Sequence, residues 1–355
     1  VLILNTVNAS ALIDQLKHDQ ALDWPTLSWT SNKDQLEKSD ELVSSIDSLF
    51  SDQNFDLYGK TNSLLIINNG KIIFEKYNKS VNENTKLVSW SMAKSFTGAL
   101  TGIMIDQNYF NSIHQNSLLS HWQDQRKDIT IDHLLNMKSG LEFVEQYNTN
   151  GHSDTAEMLF GSGRFNQAHY ASKLPLKRIP GTFFDYSTGT TNILSMVIKN
   201  NLRAKGVDYH KFIKENLLEK IGLNNTVLEF DKSDTFIGGS SIFANARDYA
   251  KFGYLYLRDG QWDGEQVISK DWIDQTRIPS KHTDYQYSNK FWHINNNEFN
   301  LPNDTYYCAG FGGQFILIIP SKDIVLVRLG ETYNTSSDKT LTLLGKIISE
   351  IKVNN

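Results

Sequence analysis

The 355-residue sequence has one cysteine, Cys308. An internal disulfide is therefore impossible, and thiolate metal clusters are excluded. Export is still open, because a chain of this length can bury a large core without disulfides. No stretch approaches the roughly 20 apolar residues of a transmembrane helix. Excess charge of one sign is small as well: the net charge of −5 gives no reason to expect nucleic acid or an anionic membrane as partner. Several motifs are missing. There is no Gly-x-Ser-x-Gly elbow and no His-Glu-x-x-His. Gly310-Phe311-Gly312-Gly313 is not followed by the Gly-Lys-Ser/Thr of a phosphate loop. No metal or cofactor is expected. Internal repeats and low-complexity linkers are absent too, which favours one structural unit over residues 1–355.

What is present is centred on Trp90-Ser91-Met92-Ala93-Lys94-Ser95-Phe96. Met92, Phe96, Ala99 and Ile103 recur at helical spacing, so a helix begins at or just after Ser91. Residues three apart share a helical face, which sets the Lys94 amine beside the Ser91 hydroxyl. A serine hydroxyl is a weak nucleophile, and a lysine desolvated among apolar neighbours can lose its charge and take the serine proton. A helix start also turns N–H groups towards a developing oxyanion. Ser-x-x-Lys alone is a weak signal, and a capping serine with a surface lysine gives the same pattern. A second copy, Ser336-Ser337-Asp338-Lys339, lies in a polar stretch with no apolar face behind it. Ser91, by contrast, precedes Thr97-Gly98-Ala99-Leu100-Thr101-Gly102, small residues that suit a closely packed buried helix.

Taken in order, the apolar start of the chain followed by Ala9-Ser10-Ala11 resembles the tail of a signal peptide without its positive region. Localisation stays open, with a periplasmic or secreted home slightly favoured. Residues 12–38 read as an extended arm, and Asp40 to Phe50 as an amphipathic helix. Asn68-Asn69-Gly70 between two apolar β-rich runs predicts a hairpin. Residues 110–300 give mostly helical signals, with 281–305 as surface loop and short strands. A second hairpin is predicted over Gln314–Val327, and a last helix over Leu341–Ile351. Strands at both ends with a helical block between them predict an α+β fold. An antiparallel sheet lobe (about 40–90 and 300–355) is flanked by terminal helices, with a mainly helical second lobe (about 91–299) beside it. A cleft between the lobes would hold the site.

A serine–lysine pair needs a further proton shuttle and a second oxyanion donor. Tyr109, Tyr186 and Tyr287 compete as shuttles. Tyr109 should lie far from the helix start, and Tyr287 sits in the polar tract with nothing to hold it. Tyr186 follows the Pro180-Gly181-Thr182 turn signal and precedes a helix. A half-buried tyrosine at a loop edge would look the same.

The Ser91 element resembles the Ser-x-x-Lys motif of the class C β-lactamase and penicillin-binding esterase superfamily. Ile131–Leu141, Pro180–Ser187, Ile221–Thr226 and Ala246–Gly253 are similar to further segments of that family, in the right order. Within it the likeness is nearest to the 6-aminohexanoate-dimer hydrolases and related esterases. The resemblance implies Ser91 as nucleophile, Lys94 as its base and Tyr186 as shuttle to the leaving group. It also implies an oxyanion hole from the N–H groups of Ser91 and Phe311, and substrate contacts from Tyr147, Gly310 and Gly312. A small-molecule or short-peptide substrate follows, cleaved at an ester or amide bond through an acyl-enzyme; oligomeric state is unknown.

Two departures stand out. Cys308-Ala309-Gly310 replaces the family's Lys-Thr-Gly, and Thr188 replaces the asparagine of Tyr-x-Asn. Both argue against D,D-peptidase or β-lactamase activity, the alternative enzymes, while leaving acyl transfer intact. A non-catalytic peptide-binding descendant is the third reading, and retention of Ser91, Lys94 and a tyrosine argues against it.

Overall fold

A computed structural model describes residues 12–147, 151–284, 286–333 and 337–352. The signal-like residues 1–11 and Ser336, which opens the second Ser-x-x-Lys copy, fall outside them.

The sheet starts from the Asn-Gly turn. Strands β2 (Lys60–Asn68) and β3 (Lys71–Tyr77) are joined by Asn69 and Gly70 alone, both at positive φ (47° and 73°). Two left-handed residues match the right-handed twist of the strands they connect. An edge strand β1 (Thr30–Ser31) lies parallel to β3; it comes from the segment that reads as an arm. The other strands are β4 (Tyr287–Ser288), β5 (Phe291–His293), β6 (Tyr306–Gly310), β7 (Gln314–Ile319) and β8 (Ile324–Glu331). The order across the eight-stranded sheet is β1-β3-β2-β8-β7-β6-β5-β4. Pairing of β2 with β8 thus joins the two ends of the sequence, as expected. The sheet also reaches into residues 287–293, which the sequence assigned to the helical lobe. Residues 287–291 of that polar tract are all buried, Tyr287 and Phe291 among them.

The central strands are apolar on both faces because both are covered. Leu64, Ile66, Leu317 and Leu326 face the helices α1 (Asp40–Phe50) and α5 (Ser337–Glu350), through Leu42, Ile46, Leu344 and Ile348. Leu65, Ile67, Ile316 and Val327 face the helical block, where Phe96 of α2 (Ala93–Asp106) stacks on Phe252 of α4 (Ala246–Leu257), ring centres 3.7 Å apart. One further helix, α3 (Thr188–Ala204), is capped by the Ser187 hydroxyl, which accepts from the Thr190 N–H at 3.0 Å. The site is assembled where α2, α3 and the end of β6 meet.

Candidate active site

Residues 87–92 bring the serine into position. Leu87–Val88 pairs with Ile242–Ala244, and the Ser89 N–H continues that ladder to the Ile242 carbonyl at 2.8 Å. Trp90 then takes a φ of +43°, rare for a residue with a bulky side chain, and a 3-10 turn over Trp90–Met92 leads into α2. Ser91 is left at the cleft floor, while α2 is buried from Ala93 to Met104. Gly98 permits that depth: a Cβ there would stand 2.6 Å from the Asn289 carbonyl oxygen.

Lys94 Nζ lies 2.8 Å from Ser91 Oγ, 2.9 Å from Thr188 Oγ1 and 2.8 Å from the Gly239 carbonyl oxygen. Its side chain is fully buried. Burial lowers the amine pKa to about 8, against the opposing pull of the Glu145 carboxylate. A fraction of the amine is therefore neutral near pH 8 and able to accept a proton.

Tyr186 comes from the segment before α3. Its ring lies against Trp292 (centres 5.4 Å apart) and edge-on to Tyr287 (6.1 Å), and Lys94 Nζ stands 4.9 Å from its centre. Burial raises the phenol pKa, and a contact with Ser91 offsets part of that rise. Tyr186 stays protonated at neutral pH, a donor rather than a base. The competing tyrosines are elsewhere. Tyr109 packs on Phe212 beyond the far end of α2. Tyr287 is locked into β4, so the expectation that nothing holds it is corrected, and its ring supports Tyr186 from behind.

The end of β6 forms the opposite wall. A Cβ on Gly310 would lie 2.2 Å from the Ser89 carbonyl oxygen, so only glycine lets this strand approach the serine segment. The turn that follows carries Phe311 and is held from below by Arg328. This fully buried guanidinium donates to the carbonyls of Gly312 (3.1 Å), Gly313 (2.7 Å), Tyr58 (3.1 Å) and Lys60 (3.2 Å). Nothing in the sequence marks Arg328, which stands in an ordinary strand.

Ser91, Tyr147 and Phe311 border both halves of the cleft, one of about 710 Å³ and one of about 480 Å³. Trp90, Leu159 and Phe160 line the larger half; Trp292, Tyr307, Phe315 and Tyr333 line the smaller, together with Gly310 and Gly312. No lysine or arginine is among the described residues lining either half. Tyr147, half-exposed, lies against Phe311 with ring centres 4.9 Å apart, and its phenol donates a hydrogen bond to Glu145. Glu145 escaped the sequence reading, which singled out only its neighbour Tyr147. Cys308 is not in the cleft. Its side chain points into the core beside Ser95, where burial pushes the thiol up to about 12. Among the described residues no cluster of His, Cys, Asp and Glu could hold a metal ion.

A profile of the beta-lactamase family matches residues 56–344. The chain belongs to the beta-lactamase family. It is 19% identical over 293 residues to a 6-aminohexanoate-dimer hydrolase of Paenarthrobacter ureafaciens, covering 76% of this chain and 72% of that one. EstCE1, described as a hydrolase with promiscuous acyltransferase activity, superposes with a TM-score of 0.67 at 16% identity, over 86% of this chain and 98% of its own. A class C beta-lactamase superposes with a TM-score of 0.63 at 18% identity, over 89% and 97%. These likenesses share the β-lactamase/transpeptidase-like fold, in a family whose named neighbours are hydrolases.

Proposed function

We propose that this member of the family is a serine hydrolase that cleaves an ester or amide bond through an acyl-enzyme on Ser91. One observation carries the reading: a buried lysine with its pKa lowered to about 8 lies 2.8 Å from the hydroxyl of a cleft serine. In the proposed reaction the Ser91 proton passes to Lys94 Nζ as Oγ bonds to the substrate carbonyl carbon. The carbonyl oxygen becomes an oxyanion facing the N–H groups of Ser91 and Phe311. Collapse breaks the carbonyl bond to the leaving group. That group takes the Tyr186 phenol proton, which Lys94 then restores. Water enters by the same steps in reverse roles and frees the acid.

The wall chemistry supports a small substrate without a strong anionic group, since the described lining residues include Glu157 and Asp338 but no lysine or arginine. The relative named as a dimer hydrolase supports amide cleavage, and EstCE1 supports general acyl chemistry. The test is labelling with a fluorophosphonate, which phosphonylates an activated serine. Peptide mass mapping should place the adduct on Ser91. An adduct on Ser336 or any other serine would rule the assignment out.

A further inference from the structure

Thr188 is where this site departs from the asparagine pattern, and its hydroxyl raises a question of direction. An asparagine carbonyl can only accept from a lysine. A threonine hydroxyl can accept or donate. If it donated, it would occupy the Lys94 lone pair that must take the serine proton.

The neighbouring carboxylate settles which it does. Glu145 Oε1 lies 2.6 Å from Thr188 Oγ1, and Glu145 Oε2 accepts the Thr188 N–H at 2.8 Å and the Thr155 hydroxyl at 2.9 Å. The Tyr147 phenol also donates to Oε1. A carboxylate only accepts, so the single Thr188 hydroxyl proton is committed to Glu145. The 2.9 Å contact between Thr188 and Lys94 must then have the lysine as donor. The Gly239 carbonyl can likewise only accept. A neutral amine has two N–H bonds and one lone pair. With both N–H bonds taken, the lone pair faces Ser91.

We propose that Glu145 is a positioning residue: it fixes the direction of the Thr188 hydroxyl and thereby aims the Lys94 lone pair at Ser91. The inference rests on Ser91 and Lys94 being the reacting pair. Glu145 also ties Tyr147 and its loop to the start of α3, so the cleft wall and the base share one anchor.

Glu145→Gln tests the direction. The Thr188 N–H can only donate, so the new amide must turn its oxygen to the former Oε2 place. Its NH2 then stands against Thr188 Oγ1, which has to accept from it and swing its own proton towards Lys94. The groups around the amine are Glu145, Tyr147 and Tyr186, with Asp185 beside Glu145 and the buried Lys290 beyond. The readout is the second-order rate of fluorophosphonate labelling at Ser91 across pH. In Glu145→Gln the plateau rate should fall by up to about 100-fold, the cost of a misaimed reacting group. The inflection should move to lower pH, because the charge that raises the Lys94 pKa is gone. A merely structural role would lower the amount of folded protein and leave the plateau rate per folded molecule in place. Should Glu145→Gln unfold, Thr188→Asn carries the test, because its carbonyl needs no partner to face Lys94. In that background Glu145→Ala should cost less than tenfold, against a larger loss in the wild type. An unchanged plateau per folded molecule or equal losses in the two backgrounds would overturn the proposal. If the wild type itself is not labelled at Ser91, the hydrolase reading fails first, and separately.

Discussion

Lys94 Nζ and Ser91 Oγ stand 2.8 Å apart, the amine wholly buried and the hydroxyl open to the cleft. The two groups are one turn of backbone apart but in opposite environments. Burial lowers the pKa of the amine to about 8, and partial exposure leaves the hydroxyl open to the cleft.

Ser91→Ala should abolish turnover while keeping the fold, since Ser91 is partly exposed at the cleft floor. Loss of a nucleophile typically lowers kcat on the order of 10⁶-fold, leaving residual oxyanion-hole catalysis. Steady-state rates on p-nitrophenyl butyrate, with a thermal melt of the same preparation, check both halves.

The pH profile follows from Lys94. Its pKa of about 8 predicts that kcat/KM rises with pH through that value, because only the neutral amine accepts the serine proton. Stability should follow the same group. Between about 8 in the folded state and roughly 10.4 in the unfolded chain, the unfolded state holds the extra proton, so stability rises with pH. Below both values the cost of the buried charge is present in full. Lys94→Met removes this dependence. From about pH 7 to pH 9.5 the wild type should gain about 2 kcal/mol relative to the variant in urea melts. Parallel curves would show that the amine is not titrating in a buried place.

Tyr186→Phe keeps the ring contact with Trp292 and removes only the phenol hydroxyl. General acids contribute roughly 10²–10⁴-fold. Esters with good leaving groups should therefore keep measurable turnover, and anilides, whose nitrogen must be protonated before it departs, should lose far more. Equal losses on both substrate types would remove Tyr186 from the role of leaving-group acid.

Nitrocefin should be a poorer substrate than p-nitrophenyl butyrate. A β-lactam carboxylate meets no lysine or arginine among the described lining residues of the cleft. A missing charge-assisted hydrogen bond is worth about 1.5–3 kcal/mol, or one to two decades in kcat/KM. Placing the charge back at Cys308 should not help. That side chain is buried beside Ser95, so Cys308→Lys should destabilise the protein without improving nitrocefin hydrolysis. Faster hydrolysis of nitrocefin than of the butyrate by the wild type would sink the argument.

Much of this was legible in local pattern. The hairpin at Asn69-Gly70, the helix over Asp40–Phe50 and the helix after Ser91 depend on turn chemistry and periodicity, which neighbouring residues settle among themselves. The spacing of Ser91 and Lys94 is likewise a property of one helical turn. Residues 281–305 misled because their strands are short and rich in Asn and His, and only pairing with β6 makes Tyr287 a buried support for Tyr186. The closeness of Ser91 to Lys94 was readable in the chain itself, because it rests on contacts within one helical turn; the two-ended sheet was readable only as apolar strand patterns at both ends, whose pairing joins residues over 250 positions apart. Tertiary structure alone decided that Cys308 faces the core, that Arg328 holds the Phe311 turn, and that Glu145 meets Thr188 across 43 positions. Those contacts join segments far apart in the chain, and no local periodicity encodes which distant partner a side chain will meet.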